Sequence, residues 1–525
     1  MMNRTTLLFS IAMLALLGTS CNRENETSWD TAVLAPLAEG RLGVNDLIPD
    51  SFITSAAGAP LYLRIEFTED LIEKDSLLRI PDTVITDAIS LPVNLTLPSG
   101  FEVANISQLI RFNYRDVMLT EALLEEGFAE LNIQNNLDDK IFFEYSIPKA
   151  TINGQSLQVN GIQVEAESSY QLLTNLSGYN LDLRGDNLIQ ANRLRFLINA
   201  LLNPNGNGSP VFANQAFVTY NNKFFGIKPY FARGYLGQTS FSFTGGTNLS
   251  FMKQISGLIE LEDITLTIDI ENSVGADFVV QLNAISGSRE SNSISLSHEI
   301  IGNELSFARA QLIPFESNPY TPYNRSVVFS SSNSNLKEFI EFLPHRIEYN
   351  VDSRINPLGN VSSGNDFVFS SSNIKLKSVL ELPLKFRAEN LSFRDTIVFE
   401  GLKTEDFANV GDGELRLLSM NGFPMNMKIE LSWLDEQKNL LGTSLIDQSI
   451  AAAPVDASLK VTNPQKTVLS IPINQKLKND LELCRFIGLR AVFDTKPDDQ
   501  LLPVYAEYEL KLQLIGDGIY TIKTK

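Results

Sequence analysis

The sequence predicts a mainly β protein, built of tandem antiparallel β-sandwich modules with a few short helices. Three observations predict it. Apolar and polar residues alternate along many short segments, the period of a strand with one buried face. Three of those segments share the same junction chemistry. Helical periodicity is confined to two short stretches.

The alternation is plain in DITLTIDIEN, where Ile264, Leu266, Ile268 and Ile270 share one face and Thr265, Thr267 and Asp269 the other. FVVQL continues it with Phe278, Val280 and Leu282 in phase. In MKIELSW, Ile429, Leu431 and Trp433 alternate with Lys428, Glu430 and Ser432, so Trp433 is expected in a core. AELNIQNNLDDKIFFEYSI, ITLTIDIENSVGADFVVQL and GELRLLSMNGFPMNMKIELSW each read as a hairpin with an asparagine at its junction. The junction residues are Asn135, Asn272 and Asn421, 137 and 149 residues apart, which are domain-sized intervals. Asparagine bonds local backbone and tolerates left-handed geometry. Hairpins share turn chemistry in general, so chance is the competing explanation of the likeness. Taken as a repeat, it divides the chain into a signal over 1–20, a tether over 21–50, an N-terminal β region with the first module over 51–245, a second module over 246–400 and a third over 401–525.

SSNSNLKEFIEFLP predicts a helix, with Ser334 and Asn335 as cap candidates and Pro344 as its stop. NQKLKNDLELCRFI predicts a second, and NLIQANRLRFLINALLNP fits helix or strand. Loops are expected at NPNGNGSP, TGGTN, NPLGNVSSGND and TKPDDQ.

The N-terminus carries Arg4, an almost wholly apolar run of eleven residues from Leu7 to Leu17 broken only by Ser10, then Gly18, Thr19 and Ser20. This is the grammar of a secretory signal, and the run is far short of the roughly 20 residues a bilayer span needs. Cys21 follows directly. Here the chain resembles a bacterial lipoprotein, which implies a lipid on Cys21 and an outer-membrane anchor. Gly18 stands where a lipobox usually carries Leu, and an ordinary secretory cut at the same bond is the alternative. The polar NRENE that follows, and the later TAVLAPLAEGRLGVNDLIPDSF, resemble exported lipoproteins of Bacteroidota, implying a surface-exposed rather than a periplasm-facing chain. Asp-Ser/Thr-apolar triplets at Asp30, Asp75, Asp82 and Asp395 look like O-glycosylation sites of that group. The first hairpin continues as YSIPKATINGQSL, and this stretch resembles the β-sandwich of LEA14-like (WHy) domains, although the usual Asn-Pro is missing. That resemblance implies an immunoglobulin-like sandwich with a binding role and no catalytic residues.

Lys plus Arg number 42 against 62 Asp plus Glu, a net charge of −20. Nucleic-acid binding needs a basic footprint, so the charge argues against that class, and equally against electrostatic docking on anionic lipid. Only Cys21 and Cys484 are present, so a lipidated Cys21 leaves no disulfide. Cys484 lies among apolar residues without an evident base and reads as a structural thiol. His298 and His345 are the only histidines. No nucleophile elbow, zinc-protease or phosphate-loop motif occurs, and no cofactor or metal is expected. A glycosidase needs only two suitably spaced carboxylates, which counting acids does not exclude.

Aromatics offer the candidate contacts. Tyr320 and Tyr323 sit in NPYTPYN between prolines that cannot continue a central strand. FFGIKPYFARGYLGQTSF adds Tyr230 and Tyr235. Half-buried strand packing competes with a ligand role for all four. The expected function is a non-catalytic outer-membrane lipoprotein that binds a protein partner or scaffolds a cell-envelope complex. The alternatives are a glycan-binding surface lipoprotein of a nutrient-uptake system and a lipid-binding envelope protein.

Overall fold

A computed structural model of the chain describes residues 27–44, 48–55, 58–72, 79–114, 116–313, 319–400, 410–495 and 500–524. Strand makes up 62% and helix 5%, against an ordinary strand level of about 20–25%, so antiparallel pairing organises the molecule. Two short helices, α1 (Leu336–Glu341) and α2 (Gln475–Leu483), occupy the stretches with helical periodicity. Asn474 caps α2 by accepting from the Leu477 N–H at 2.9 Å. Asn335 instead accepts from the Ser297 N–H at 2.7 Å, and the Ser334 hydroxyl takes the Leu336 N–H.

The chain forms two compact units, one from Met1–Leu63, Ser250–Glu262 and Pro383–Lys525, the other from Arg64–Leu249 and Asp263–Leu382. Two sheets build the first unit. One has the order Thr27–Gly43, Glu509–Thr524, Val410–Asn421, Gln465–Pro472. The other runs Ile255–Leu261, Lys385–Val398, Phe486–Asp494, Asn426–Leu434, Leu440–Leu445. Leu415, Leu417, Leu510, Trp433 and Phe493 are buried, and Phe423 packs edge-on against Phe493 and Tyr508. Trp433 is fully enclosed, as its phase predicts, with its indole N–H on Ser444 Oγ at 3.1 Å.

Two expected boundaries are corrected here. The tether expected over 21–50 is, from Thr27 to Gly43, a long strand paired with the C-terminal strand, from Thr27↔Thr524 to Gly43↔Glu509. Leu37, Ala38 and Leu42 of this strand are buried. Ile255–Leu261 and Lys385–Val398, expected in a second module over 246–400, pair with each other, and the latter pairs with Phe486–Asp494. The modules are therefore not contiguous in sequence. Periodicity identifies a strand but not its distant partner.

In the second unit, a ten-stranded sheet runs Asp366–Phe369, Ala216–Tyr235, Met118–Asn135, Asn180–Asp182, Ile141–Ile152, Arg193–Leu202, Glu102–Arg111, with three strands added alongside. Arg193–Leu202 resolves the ambiguous segment as strand, because Leu194, Phe196, Ile198, Ala200 and Leu202 are buried at period two. Phe196 packs against Tyr145 and Tyr220 at 6.4 and 6.3 Å. A further pair of sheets forms the second module. One includes Tyr62–Asp70, Ile374–Pro383, Thr265–Asn272 and Tyr323–Phe329 in that order, and the other Thr239–Asn248, Arg346–Ile355, Phe278–Arg289 and Asn292–Ser295.

The three asparagine junctions are not the expected hairpins: none joins strands that pair with each other, and each is an arch in that sense. Thr265–Asn272 and Phe278–Arg289 enter different sheets, as do Val410–Asn421 and Asn426–Leu434, while Asn180–Asp182 separates Met118–Asn135 from Ile141–Ile152. An arch leaves backbone groups without ladder partners, and buried ones must be satisfied. A primary amide supplies both donor and acceptor. Each asparagine is fully buried and makes the same three bonds. Its Oδ1 accepts from the N–H two residues on, at 3.1, 2.9 and 2.9 Å for Leu137, Val274 and Phe423. Its Nδ2 donates to the carbonyl four residues on, at 2.9, 3.2 and 3.0 Å for Asp139, Ala276 and Met425. Nδ2 also reaches a remote carbonyl, Glu165, Ala308 or Ala451, at 3.0, 2.9 and 2.8 Å.

Candidate interaction surface

Two of the four tyrosines singled out by sequence converge on one ring. Asp366–Phe369 pairs with Ala216–Tyr235 through Phe231↔Phe369. Around Phe369 lie Phe231 at 4.8 Å, Tyr320 at 5.4 Å, Tyr230 at 5.8 Å and Phe367 at 6.0 Å between ring centres. Ala310, Phe367 and Phe369 are buried, with Phe231 and Tyr320 half-buried over them. Tyr230 remains 42% exposed, and the Tyr320 hydroxyl lies 3.1 Å from Ser371 Oγ. The result is an aromatic surface with a rigid floor and polar-tipped edges, suited to contacts that bury a flat face and satisfy a hydroxyl.

The floor is held from below. Gly275 leaves room for Phe367, since an added Cβ would lie 2.1 Å from that ring. The buried Asp366 carboxylate accepts from Asn356 Nδ2 at 2.7 Å, the Leu236 N–H at 3.1 Å and Arg309 at 3.4 Å. Arg309 also holds Asp277 at 3.0 Å. The buried charge is thus fully partnered, as burial of a carboxylate requires, and it fixes the strand that carries Phe369.

Tyr323 is exposed but sits apart from this cluster in its ring contacts, edge-on to Phe307 at 6.4 Å. Tyr235 is buried, which corrects the expectation that it contacts a ligand. A register shift at Arg233/Gly234 breaks the alternation and turns its ring inward. Burial, with Asp366 and Asp116 nearby, raises its phenol pKa. Phe367 and Phe369 were not singled out by the sequence reading. Their signal is the short apolar run FVF directly after a stretch rich in loop residues, the mark of a strand buried on both faces.

The chemistry-bearing side chains are engaged structurally. His298 lies against the Phe329 ring at 4.2 Å, and its Nδ1 accepts from the Ile300 N–H at 3.2 Å. His345 pairs through its main chain with Leu249 and Ser288. Cys484 is buried with Sγ 3.2 Å from the Phe486 carbonyl, and burial pushes its thiol pKa up to about 11. Among the described residues, no group of three or more His, Cys, Asp or Glu is arranged to hold a metal ion, and no helix is long and apolar enough to cross a membrane. Cys21 lies outside the described residues.

No protein-family model and no curated protein matches the chain. Among solved structures it is similar to a protein of Parabacteroides distasonis described provisionally as secreted, at 12% identity and a TM-score of 0.27, over 54% of this chain and 89% of that one. It is also similar to the major capsid protein P2 of bacteriophage PM2, at 7% identity and a TM-score of 0.10, over 58% and 98% of the two chains. Superpositions this loose carry no argument about function.

Proposed function

We propose that the chain is a non-catalytic outer-membrane lipoprotein, exposed at the cell surface, that serves as a partner-binding or scaffold subunit of an envelope complex. The observation that carries this reading is the aromatic surface of Tyr230, Phe231 and Tyr320 over Phe369. Exposed tyrosine edges on a fixed floor are typical interface anchors. The structural bonding of His298 and Cys484 supports a role without catalysis. The apolar run ending at Cys21 supports the lipid anchor.

The test is native purification from membranes of the wild type, Cys21→Ser, and the double variant Tyr230→Ala/Tyr320→Ala, each checked for folding by circular dichroism. Cys21→Ser should leave the membrane fraction. The double variant should stay anchored yet lose a co-purifying envelope protein, because two anchors at about 2 kcal/mol each weaken binding by roughly a thousandfold. Retention of the same partner by a folded double variant, or a co-purifying glycan in its place, overturns the proposal.

A further inference from the structure

We infer that the second module holds a binding site for a small neutral molecule with an apolar body and a single hydrogen-bonding group. This goes beyond partner binding and rests on different residues. Between the module's two sheets lies a cavity of about 100 Å³, lined deep down by Leu282, Ile285, Leu296, Phe339 and Leu376. Protein interiors rarely leave such a space. An engineered apolar cavity of about 150 Å³ takes up benzene, so this one suits a slim ring or a short alkyl chain, whereas a whole lipid is far too large.

One fully buried polar group stands inside. Ser378 lies between Leu376 and Leu380 on the inward face of its strand, opposite Ile268, and is 1% exposed. Its Oγ has no hydrogen-bond partner. A buried hydroxyl without a partner is costly, and a few placed polar groups in an apolar pocket are what orient small ligands.

The mouth is also built. Tyr349 stacks on Phe67, with ring centres 5.7 Å apart and planes 14° apart, and donates its hydroxyl to Glu69 Oε1 at 2.7 Å. The ring lies directly over Gly245, where an added Cβ would be 2.2 Å from Tyr349 Oη. Gly245 of TGGTN therefore makes room for the Tyr349 ring at the mouth. Glu69 places a carboxylate at the entrance, which disfavours an anionic ligand.

Calorimetric titration of the mature chain with p-cresol, toluene and p-toluate, supported by ligand-observed NMR, tests the site. Cresol and toluene should both bind, cresol about fivefold more tightly, the worth of one net hydrogen bond. Toluate should bind at least about tenfold more weakly than cresol, as charge repulsion at the entrance demands. Ser378→Leu should fill the space and abolish both neutral ligands. Ser378→Ala, which removes only the hydroxyl, should erase the preference for cresol and leave toluene bound. The inference is overturned if neither neutral ligand binds the wild type, if Ser378→Ala keeps the cresol preference, or if folded Ser378→Leu binds as the wild type does. It is equally overturned if a water molecule alone occupies Ser378 in cresol's presence.

Discussion

Replacing Asn421 by Ala removes the amide that ties the third arch together. Its bonds to the Met425 and Ala451 carbonyls, at 3.0 and 2.8 Å, and from the Phe423 N–H, at 2.9 Å, are all lost. A buried hydrogen bond contributes about 1 kcal/mol net, and each stranded partner costs about 1–3 kcal/mol. A loss of about 4 kcal/mol is expected, large against a typical stability of about 5–15 kcal/mol. Both tryptophans, Trp29 and Trp433, lie in the first unit. Their fluorescence during urea unfolding therefore reads the unit that contains the substitution. With a slope of about 2 kcal/mol per molar urea, the midpoint should fall by about 2 M. Asn421→Asp sharpens the test, since it keeps the acceptor for Phe423 but turns a carboxylate oxygen toward two carbonyls. It should be at least as damaging as Ala at pH 7. The repulsion raises the carboxyl pKa in the fold above its unfolded value, so the penalty should shrink as pH falls through the carboxyl titration. An Ala midpoint within about 0.3 M of wild type, against the shift worked above, refutes the claim that the amide locks the arch.

Two further predictions follow from the first unit. In a Cys21→Ser chain, Cys484 should resist an aromatic disulfide reagent at pH 8, where a thiol pKa of about 11 leaves almost no thiolate; fast labelling without urea would contradict its burial. Deleting residues 27–43 should expose the edge of Glu509–Thr524 and abolish the cooperative transition of Trp433 fluorescence, whereas an unchanged transition would restore the tether expectation.

Much of this architecture was legible because it is local. The alternation around Ile268, Leu431 and Trp433 needs only the pleat to be read. The asparagines stood out because a turn that must satisfy its own backbone has few side chains to choose from. What stayed hidden depends on partners remote in the chain. Whether the strands beside Asn272 face each other or enter separate sheets is decided by Ile374–Pro383 and Arg346–Ile355, which begin 102 and 74 residues further on. The Tyr235 ring is turned by a bulge set on Met118–Asn135, a strand met long before it. Phe369 becomes central only because its short strand joins Ala216–Tyr235. The role of Gly245 appears only when Tyr349 is laid across it.

The pairing of Thr27 with Thr524 also bears on how an anchor would act. A tether reaching to residue 50 could span about 100 Å if fully extended, enough for the folded chain to search well beyond the bilayer surface. With sheet pairing starting at Thr27, the chain from Cys21 covers at most about 20 Å, whatever path residues 22–26 take. A lipid on Cys21, as proposed, would therefore hold the first unit close against the headgroups and restrict its tilt. The chain has an acidic balance of −20 overall, which does not attract an anionic bilayer, so closeness would have to come from the acyl chains alone. Confinement of that kind raises the effective concentration of any partner embedded in the same membrane. It favours a fixed subunit assembled beside a membrane protein over a mobile capture arm.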